Sequence, residues 1–259
     1  PPPQPPPLPP ATACVDTGLN LDCSSSVSRS AVAARPDPRC PVQDVINCCC
    51  VEFLNLRAVL GSIAVTSSSV TSLSFGSIDF VGGNVNIQDN DNLASIDFAA
   101  VTRIGGDLTI FNNDGLPTVD LNQVTHVGGS LTVSSNALVT ALSFGSLNAV
   151  DADVVIRFNT VLPRIDLGVL RMVGGKLDLS SNNAVDRILA PSLQSIGNNM
   201  VVFSLDILEQ IQVGDLTSIG GNVDFRFNDI ITQVDFDAVT SVGGDIDVSA
   251  NPQMQALDV

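Results

Sequence analysis

The sequence predicts an all-β protein, a right-handed parallel β-solenoid of 23-residue coils behind a disulfide-rich N-terminal cap. Three recurring features predict this fold. Paired glycines return at a fixed period, an alternating apolar pair follows each of them, and an asparagine follows the apolar pair. A fixed period of about 20 to 50 residues is typical of repeat proteins, in which stacked repeats together bury a continuous core.

The glycine pairs set the period. They begin at residues 82, 105, 128, 174, 220 and 243, so successive pairs are 23 residues apart or twice that. Asp151-Ala152 and Gly197-Asn198 occupy the two remaining slots. Because glycine tolerates a left-handed backbone, we expect these turns to have positive φ. A phosphate-binding loop is the alternative, but these turns lack the lysine and the strand–loop–helix context that it needs.

An alternating pair of apolar residues follows each glycine turn. The first pair is Val85 and Ile87, and the last is Ile246 and Val248. Alternation with a period of two predicts a short strand with one buried face.

A second alternating pair closes each coil. It is Ile96 and Phe98 in the first full repeat, and it predicts a second strand on another face. The segment 99–104 before the next glycine pair is too short for a long helix. A β-helix is therefore favoured over a horseshoe backed by helices.

An asparagine lies three residues after the second apolar residue of each first strand, except in one coil, where Leu205 takes its place. We expect a structural ladder whose amides satisfy backbone groups at the turn between coils, with a ligand-binding column as the alternative. The ladder comprises Asn90, Asn113, Asn136, Asn159, Asn182, Asn228 and Asn251.

The chain divides into three segments. Residues 1–10 are a predicted polyproline II spacer, residues 11–57 a cysteine-rich cap, and residues 58–259 the solenoid. The solenoid begins with a degenerate coil over about 60–81, and eight 23-residue repeats follow, the last of them incomplete. We expect either that the natural chain continues past Val259 or that this end meets a partner.

The first segment reads PPPQPPPLPP. Proline lacks an amide proton and fixes φ, so this segment favours polyproline II. A stiff spacer is the preferred interpretation, and an SH3-type ligand is the alternative. Its candidates for hydroxylation and O-glycosylation are Pro1, Pro2, Pro3, Pro5, Pro6, Pro7, Pro9 and Pro10.

All six cysteines lie in the second segment. An even number clustered ahead of a cysteine-free body predicts disulfides and an extracellular location, although 15 pairings stay open. Zinc is the alternative, but three consecutive cysteines suit no common zinc spacing. A short helix over Val42–Asn47, with Pro41 at its start, is also expected. The cysteines are Cys14, Cys23, Cys40, Cys48, Cys49 and Cys50.

The charge balance disfavours two classes of partner. The formal net charge is −16 and the pI about 4.1, so phosphate backbones and anionic membrane surfaces repel the chain. No apolar run approaches the about 18 residues of a membrane span, so no direct membrane insertion is expected.

Aspartates are the main candidates for chemistry. Asp224, Asp245 and Asp247 are weak candidates for a Ca²⁺ site, with a solvated acidic face as the alternative. A paired-carboxylate hydrolase is a third interpretation. His126, the single histidine, has no partner nearby in the sequence. A further column shares one register and is expected to stack on one face: Asp97, Asp120, Asp166, Asp235 and Asp258.

Phenylalanine is the only aromatic residue. Phe98, Phe144 and Phe236 fall in core register, whereas Phe111 and Phe203 fall in an outward slot of the first strand. We therefore expect two exposed rings and no continuous aromatic patch. No catalytic residue and no cofactor is assigned from the sequence.

The repeat resembles those of a known group of proteins. The stretch VGGNVNIQDNDNLASIDFAAVTRIGGDLTIFNND resembles the leucine-rich-related repeats of receptor L domains, and still more those of fungal glycolipid-anchored cell-wall proteins. The segment Cys50 to Val65 is similar to the way an L domain begins. The resemblance covers about residues 48–259, but the chain has no Asn-x-Ser/Thr sequon. The proline segment resembles hydroxyproline-rich algal wall and flagellar-hair (mastigoneme) proteins.

These features predict a structural component of an extracellular assembly, such as a cell wall, a matrix or a flagellar-hair filament, with no catalysis. Its partners would be further copies or another matrix protein, with glycans as further candidates, and no nucleic acid. The alternative is a receptor or adhesin ectodomain that binds its ligand on one sheet face. The resemblance implies the architecture and leaves both functions open.

Overall fold

The computed structural model describes residues 56–258 and two short strands ahead of them, Val15–Asp16 and Cys50–Glu52. Within these ranges the chain forms strands, turns and bends, with no helix. Its strands pair in parallel with those of the next coil, 23 residues further on, or 22 in the first coil. The predicted all-β solenoid with 23-residue coils is confirmed. The helix expected at Val42–Asn47 lies outside the described residues.

The first predicted strand forms a nine-stranded sheet that runs the length of the solenoid. Its strands alternate as expected: Leu108 and Ile110 are fully buried, and Thr109 between them is partly exposed. The strands are Ile63–Thr66, Val85–Gln88, Leu108–Phe111, Leu131–Ser134, Val154–Arg157, Leu177–Asp178, Met200–Val201, Val223–Asp224 and Ile246–Asp247.

The second predicted strand is divided among four short sheets. It is centred on Ile96 and its equivalents, and Phe98 follows it. The four sheets comprise Cys50–Glu52, Ser72–Ser74 and Ser95–Asp97; Thr118–Asp120 and Ala141–Ser143; Arg164–Asp166, Arg187–Leu189 and Gln210–Gln212; and Gln233–Asp235 and Ala256–Asp258.

Each coil also has a third strand, which the sequence did not reveal. It comprises only the two residues before each glycine pair, so no alternation could mark it. These strands form a ten-stranded sheet: Val15–Asp16, Ala58–Val59, Phe80–Val81, Arg103–Ile104, His126–Val127, Ala149–Val150, Met172–Val173, Ser195–Ile196, Ser218–Ile219 and Ser241–Val242.

The three strands of each coil enclose one apolar core. Each coil contributes residues from all three sides, for example Leu108, Val119 and Val127, each at most 1% exposed. Phe75 and Phe98 stack within this core with their ring centroids 4.5 Å apart. Because neighbouring coils share the core, no coil can bury its apolar residues alone.

The glycine pairs are needed for close packing rather than for positive φ, which corrects the expectation from the sequence. The only described glycines with positive φ are Gly76 and Gly168, which lie outside the pairs. Instead, a Cβ added to Gly105 would clash with the carbonyl oxygen of Gly82 one coil earlier, and one added to Gly128 would clash with that of Gly105. Stacked turns approach so closely here that a side chain has no room.

Candidate functional site

The outer face of the nine-stranded sheet carries polar, charged and aromatic side chains. Counting the first residue of each strand as position 1, the residues at positions 2 and 4 face away from the core. Position 2 holds Ala64, Asn86, Thr109, Thr132, Val155, Asp178, Val201, Asp224 and Asp247. Position 4 holds Thr66, Gln88, Phe111, Ser134, Arg157, Ser180, Phe203, Arg226 and Ser249.

The chain turns away from this face at position 5. The residues here have φ between 47° and 57°, although none of them is glycine. Such a conformation costs an L-residue roughly 1–2 kcal/mol, so neighbouring contacts must hold it in place. Position 5 holds Ser67, Asp89, Asn112, Ser135, Phe158, Ser181, Ser204, Phe227 and Ala250.

The asparagine ladder at position 6 supplies these contacts. The Asn113 amide nitrogen donates to the carbonyl oxygen of Ile87 at 3.0 Å. Its side-chain oxygen accepts from the backbone N–H of Asn90, one coil earlier, at 3.2 Å. Asn113 is fully buried. Its amide nitrogen also donates to the carbonyl oxygen of Phe111 in its own coil at 3.1 Å, so the asparagine satisfies backbone groups of two coils at the corner.

The coil that carries Leu205 shows how the ladder tolerates a gap. In other coils the asparagine donates to a strand carbonyl oxygen one coil earlier, as Asn113 does to Ile87. Here that carbonyl belongs to Leu179, and Leu205 has no side-chain amide to donate to it. The amide nitrogen of Asn182, one coil earlier, donates to this carbonyl instead, at 2.9 Å. Asn251, at the last described corner, makes the same type of bond to Val248.

Aspartates at the ends of strands in the four short sheets accept hydrogen bonds from the turns that follow. Asp97 Oδ1 accepts from the Ala99 N–H at 2.9 Å. Asp120, Asp166 and Asp235 each accept in the same way from the residue two positions on. Only Asp97 and Asp120 of these four lie in neighbouring coils. The column is therefore interrupted, and its described carboxylates are engaged with their own turns.

The three Ca²⁺ candidates do not lie together: two are on a sheet face and one is in the preceding turn. Asp224 and Asp247 lie side by side on the outer face of the nine-stranded sheet. Asp245 lies in the turn before it, where its N–H donates to the Asn222 side chain at 3.0 Å. The described residues contain no group of three or more acidic, histidine or cysteine side chains placed to hold a metal ion.

Arg226 lies between the two carboxylates that share the sheet. Its guanidinium donates to both Asp224 oxygens at 2.6 and 2.8 Å and lies 3.4 Å from Asp247. Hydrogen bonds from the hydroxyl and amide of Ser249, with the nearby guanidinium, lower the pKa of Asp247. The hydrogen bond with Asp224 raises the pKa of Arg226. The positive charge between these two carboxylates is therefore the guanidinium of Arg226.

Two aromatic rings, one exposed and one partly exposed, lie beside the same arginine. The rings of Phe203 and Phe227 meet edge to face with centroids 5.2 Å apart. The Arg226 guanidinium lies 5.7 Å from one centroid and 6.0 Å from the other. Phe227 is 49% exposed. Exposed aromatics beside arginine are typical of the energetically important part of binding surfaces.

A second aromatic–arginine pair lies further along the face. The Arg157 guanidinium lies 5.5 Å from the Phe158 ring centroid, and Phe158 is 48% exposed. The same guanidinium lies 3.8 Å from the buried carboxylate of Asp178, which Lys176 also approaches at 3.7 Å. The two cations offset the cost of burying that carboxylate.

The face therefore exposes more rings than the two expected. Of the two rings predicted to be exposed, Phe111 is 37% exposed, whereas Phe203 is only partly exposed. Phe158 and Phe227 were missed because they lie at position 5, where the positive φ turns a side chain out of the strand's alternation. The 23-residue repeat locates position 5 in each coil, but the apolar alternation does not reveal that its φ is positive.

His126 has a partner that the sequence did not reveal. Its Nε2 lies 3.0 Å from Oδ1 of Asp151 in the next coil. Nδ1 of His126 is buried and has no hydrogen-bond partner. His126 lies in a strand of the ten-stranded sheet, and Asp151 lies in the turn that follows the neighbouring strand.

Most of the N-terminal predictions concern residues outside the described ranges. These include the proline segment, five of the cysteines and the side chain of Cys50, whose backbone pairs with Ser72. Among the described residues, no helix is long and apolar enough to cross a bilayer.

Comparison of the chain with protein-family models, with curated proteins and with solved structures gives no match.

Proposed function

We propose that this chain is a structural subunit of an extracellular assembly, such as a wall, a matrix or a flagellar-hair filament, and that it is not an enzyme. One observation carries the proposal. The polar and aromatic side chains of the described solenoid lie in columns along extended sheet faces, not around an enclosed pocket. A shallow depression, by contrast, contains a single carboxylate and is lined by Gln194, Gly214, Asp215, Thr217 and Ala238.

A solenoid of this kind suits a building block. Backbone hydrogen bonds join each coil to the next in the nine- and ten-stranded sheets, the short sheets add bonds between some coils, and the asparagine ladder joins coils again at a corner. The rod is therefore stiff along its axis, and a contact made at one coil has a defined position relative to every other. Repeated faces of this type suit side-by-side contacts between copies or with another matrix protein.

The N-terminal segments complete the proposal. Bridged cysteines between Cys14 and Cys50 would form a cap over the first coil and place the protein in an oxidising compartment. The proline segment would be a stiff spacer, hydroxylated and glycosylated in such surroundings. We also propose that the solenoid coils in a right-handed sense and is related to receptor L-domain and wall-protein repeats. The 23-residue repeat supports this part of the proposal.

The second candidate is a receptor or adhesin ectodomain. The cluster of Phe203, Arg226 and Phe227 favours it, because exposed aromatic and arginine side chains often anchor a ligand. In that case the partner would be a protein or a glycan docked on the nine-stranded sheet.

Sedimentation velocity over a range of concentrations separates the two. A structural subunit should form larger species of regular stoichiometry as the concentration rises, in buffer without denaturant. A monomer at every concentration that nonetheless captures one ligand from a glycan or matrix-protein array would favour the ectodomain.

A further inference from the structure

Aromatic and small residues alternate along one edge of the nine-stranded sheet. Phe111, Phe158 and Phe203 lie in every second coil, at position 4 or 5 of the strand. The coil between the first two has Ser134 and Ser135 at these positions. The coil between the last two has serine at both positions as well, residues 180 and 181. From Phe111 to Phe203 rings and gaps therefore repeat together along the axis, and the coil after Phe203 adds a further ring, Phe227, without a gap.

The repeat distance matches one particular chain conformation. Neighbouring coils are about 4.8 Å apart, so rings in every second coil repeat at about 9.6 Å. A polyproline II helix has three residues per turn and rises about 3.1 Å per residue, which gives about 9.3 Å per turn. Over the four coils from Phe111 to Phe203 the two lengths are about 19.2 and 18.6 Å. They differ by less than 1 Å.

The chemistry of the edge suits the same ligand. Polyproline II segments dock proline rings on aromatic side chains, and their carbonyl oxygens are free to accept hydrogen bonds. The guanidinium groups of Arg157 and Arg226 lie beside the rings as donors. The half-buried serines Ser135 and Ser181 place hydroxyl groups in the gaps.

The geometry points to this edge as the docking site for residues 1–10, PPPQPPPLPP, of a second copy of the chain. Ten residues of polyproline II span about 31 Å, enough to cover every ring from Phe111 to Phe227, about 24 Å along the axis. The segment is uncharged, so the acidic solenoid does not repel it. This inference rests on the proposed function in an assembly, and it identifies the contact between neighbouring copies.

The segment of the same chain would have to be almost fully extended to reach the first ring. Val15 pairs with Ala58 in the ten-stranded sheet, three strands before Arg103, whose coil continues to Phe111. That is about 14 Å along the axis and at least about 10 Å at right angles to it, so the straight-line distance is at least about 17 Å. Five residues from Pro10 to Val15 span at most about 18 Å, so the same chain has almost no slack and a second copy is the less constrained source.

Binding of a synthetic peptide tests the docking site directly. A fluorescent PPPQPPPLPP peptide titrated with the full chain should show saturable binding. Phe158→Ser combined with Phe203→Ser should weaken it at least tenfold, because both rings are removed. Serine already occupies these positions in neighbouring coils, so the double variant should keep its circular dichroism spectrum and melting temperature.

Two matched controls make the result specific. Met172→Ser removes an equally exposed apolar side chain from the ten-stranded sheet and should leave the affinity unchanged. A peptide with alanine in place of each proline should not bind. The inference is overturned if the proline peptide shows no saturable binding at millimolar concentration, or if the double phenylalanine variant binds it as tightly as the natural chain.

Sedimentation of the full chain separates this inference from the proposed function. Self-association that is lost in the double variant and competed by excess peptide supports both. If the chain and the variant associate equally, the docking site is wrong and the assembly role stands. If the chain stays monomeric while the peptide binds, the second copy is the wrong source, and the assembly role loses its support.

Discussion

At the scale of single residues, the corner asparagines do the most for stability. Asn136 accepts from the Asn113 N–H at 3.0 Å and donates to the Ile110 carbonyl oxygen at 3.1 Å, both buried. No water can replace these bonds inside the stack. A buried group that loses its hydrogen-bond partner costs about 1–3 kcal/mol.

We therefore predict that Asn136→Ala lowers the free energy of unfolding by about 2–5 kcal/mol, because it leaves two buried backbone groups without partners. Urea denaturation followed by circular dichroism measures the loss. Asn92→Ala is the matched control, since Asn92 is exposed and lies outside the ladder. Equal stability of the two variants would contradict the structural role of the column.

At the scale of elements, the strand alternation and the glycine turns make separate predictions. Position 1 and position 3 are core positions in every strand but the last, where Ile246 is 41% exposed, whereas position 2 faces outward. The turns depend on the close approach of stacked backbones rather than on φ. Each feature can be tested with a pair of variants that differ only in where the side chain points or in the space around it.

The first pair tests the alternation. Ile110→Asp places a carboxylate in the core and should unfold the domain, because an unpaired buried charge costs several kcal/mol. Thr109→Asp should change the unfolding free energy by no more than about 0.5 kcal/mol, since exposed substitutions usually do. Asp178, Asp224 and Asp247 already occupy that position in other coils. Thermal melting measures both, and similar tolerance at the two positions would overturn the register.

The second pair tests the turns. Gly128→Ala should destabilise the protein by about 1–3 kcal/mol or more, because its Cβ meets the Gly105 carbonyl oxygen. Gly214→Ala should be neutral or stabilising by up to about 1 kcal/mol, because a Cβ there meets nothing within 4 Å and its φ is ordinary. If both substitutions have the same effect in urea denaturation, close packing is not the reason for the glycine pairs.

How much of the fold the sequence could predict depended on the length of each element. The strand at Leu108–Phe111 has four residues, enough for alternation to show, and it was predicted correctly. The strand at Arg103–Ile104 has two, too few for any period, and it was missed.

The surface was harder to predict than the core, because it depends on contacts between coils. His126 and Asp151 are 25 residues apart, so only the stacking distance reveals that they pair. The ion pair between Arg226 and Asp247 also joins different coils. Phe158 and Phe227 were missed for a local reason, the positive φ of position 5.

At the scale of the whole molecule, the oxidation state of the cysteines tests where the protein resides. If the six cysteines are bridged, alkylation of the denatured, unreduced chain should modify no thiol, and alkylation after reduction should modify six. Intact mass spectrometry of protein from its natural source gives the count. Six modified thiols without reduction would contradict both the disulfide cap and the extracellular location.

The assembly itself is the central claim. The solenoid presents long, regular faces, and the edge lined by Phe111, Phe158 and Phe203 repeats with the pitch of a polyproline segment that the chain itself contains. A protein of this shape should join its copies in register.

Electron microscopy of the protein purified from its natural source, without denaturant, tests this most directly. We expect filaments or fibres with a regular repeat, in which the nine-stranded sheet of one copy contacts the next. Separate short rods at every concentration would contradict it and favour a receptor or adhesin.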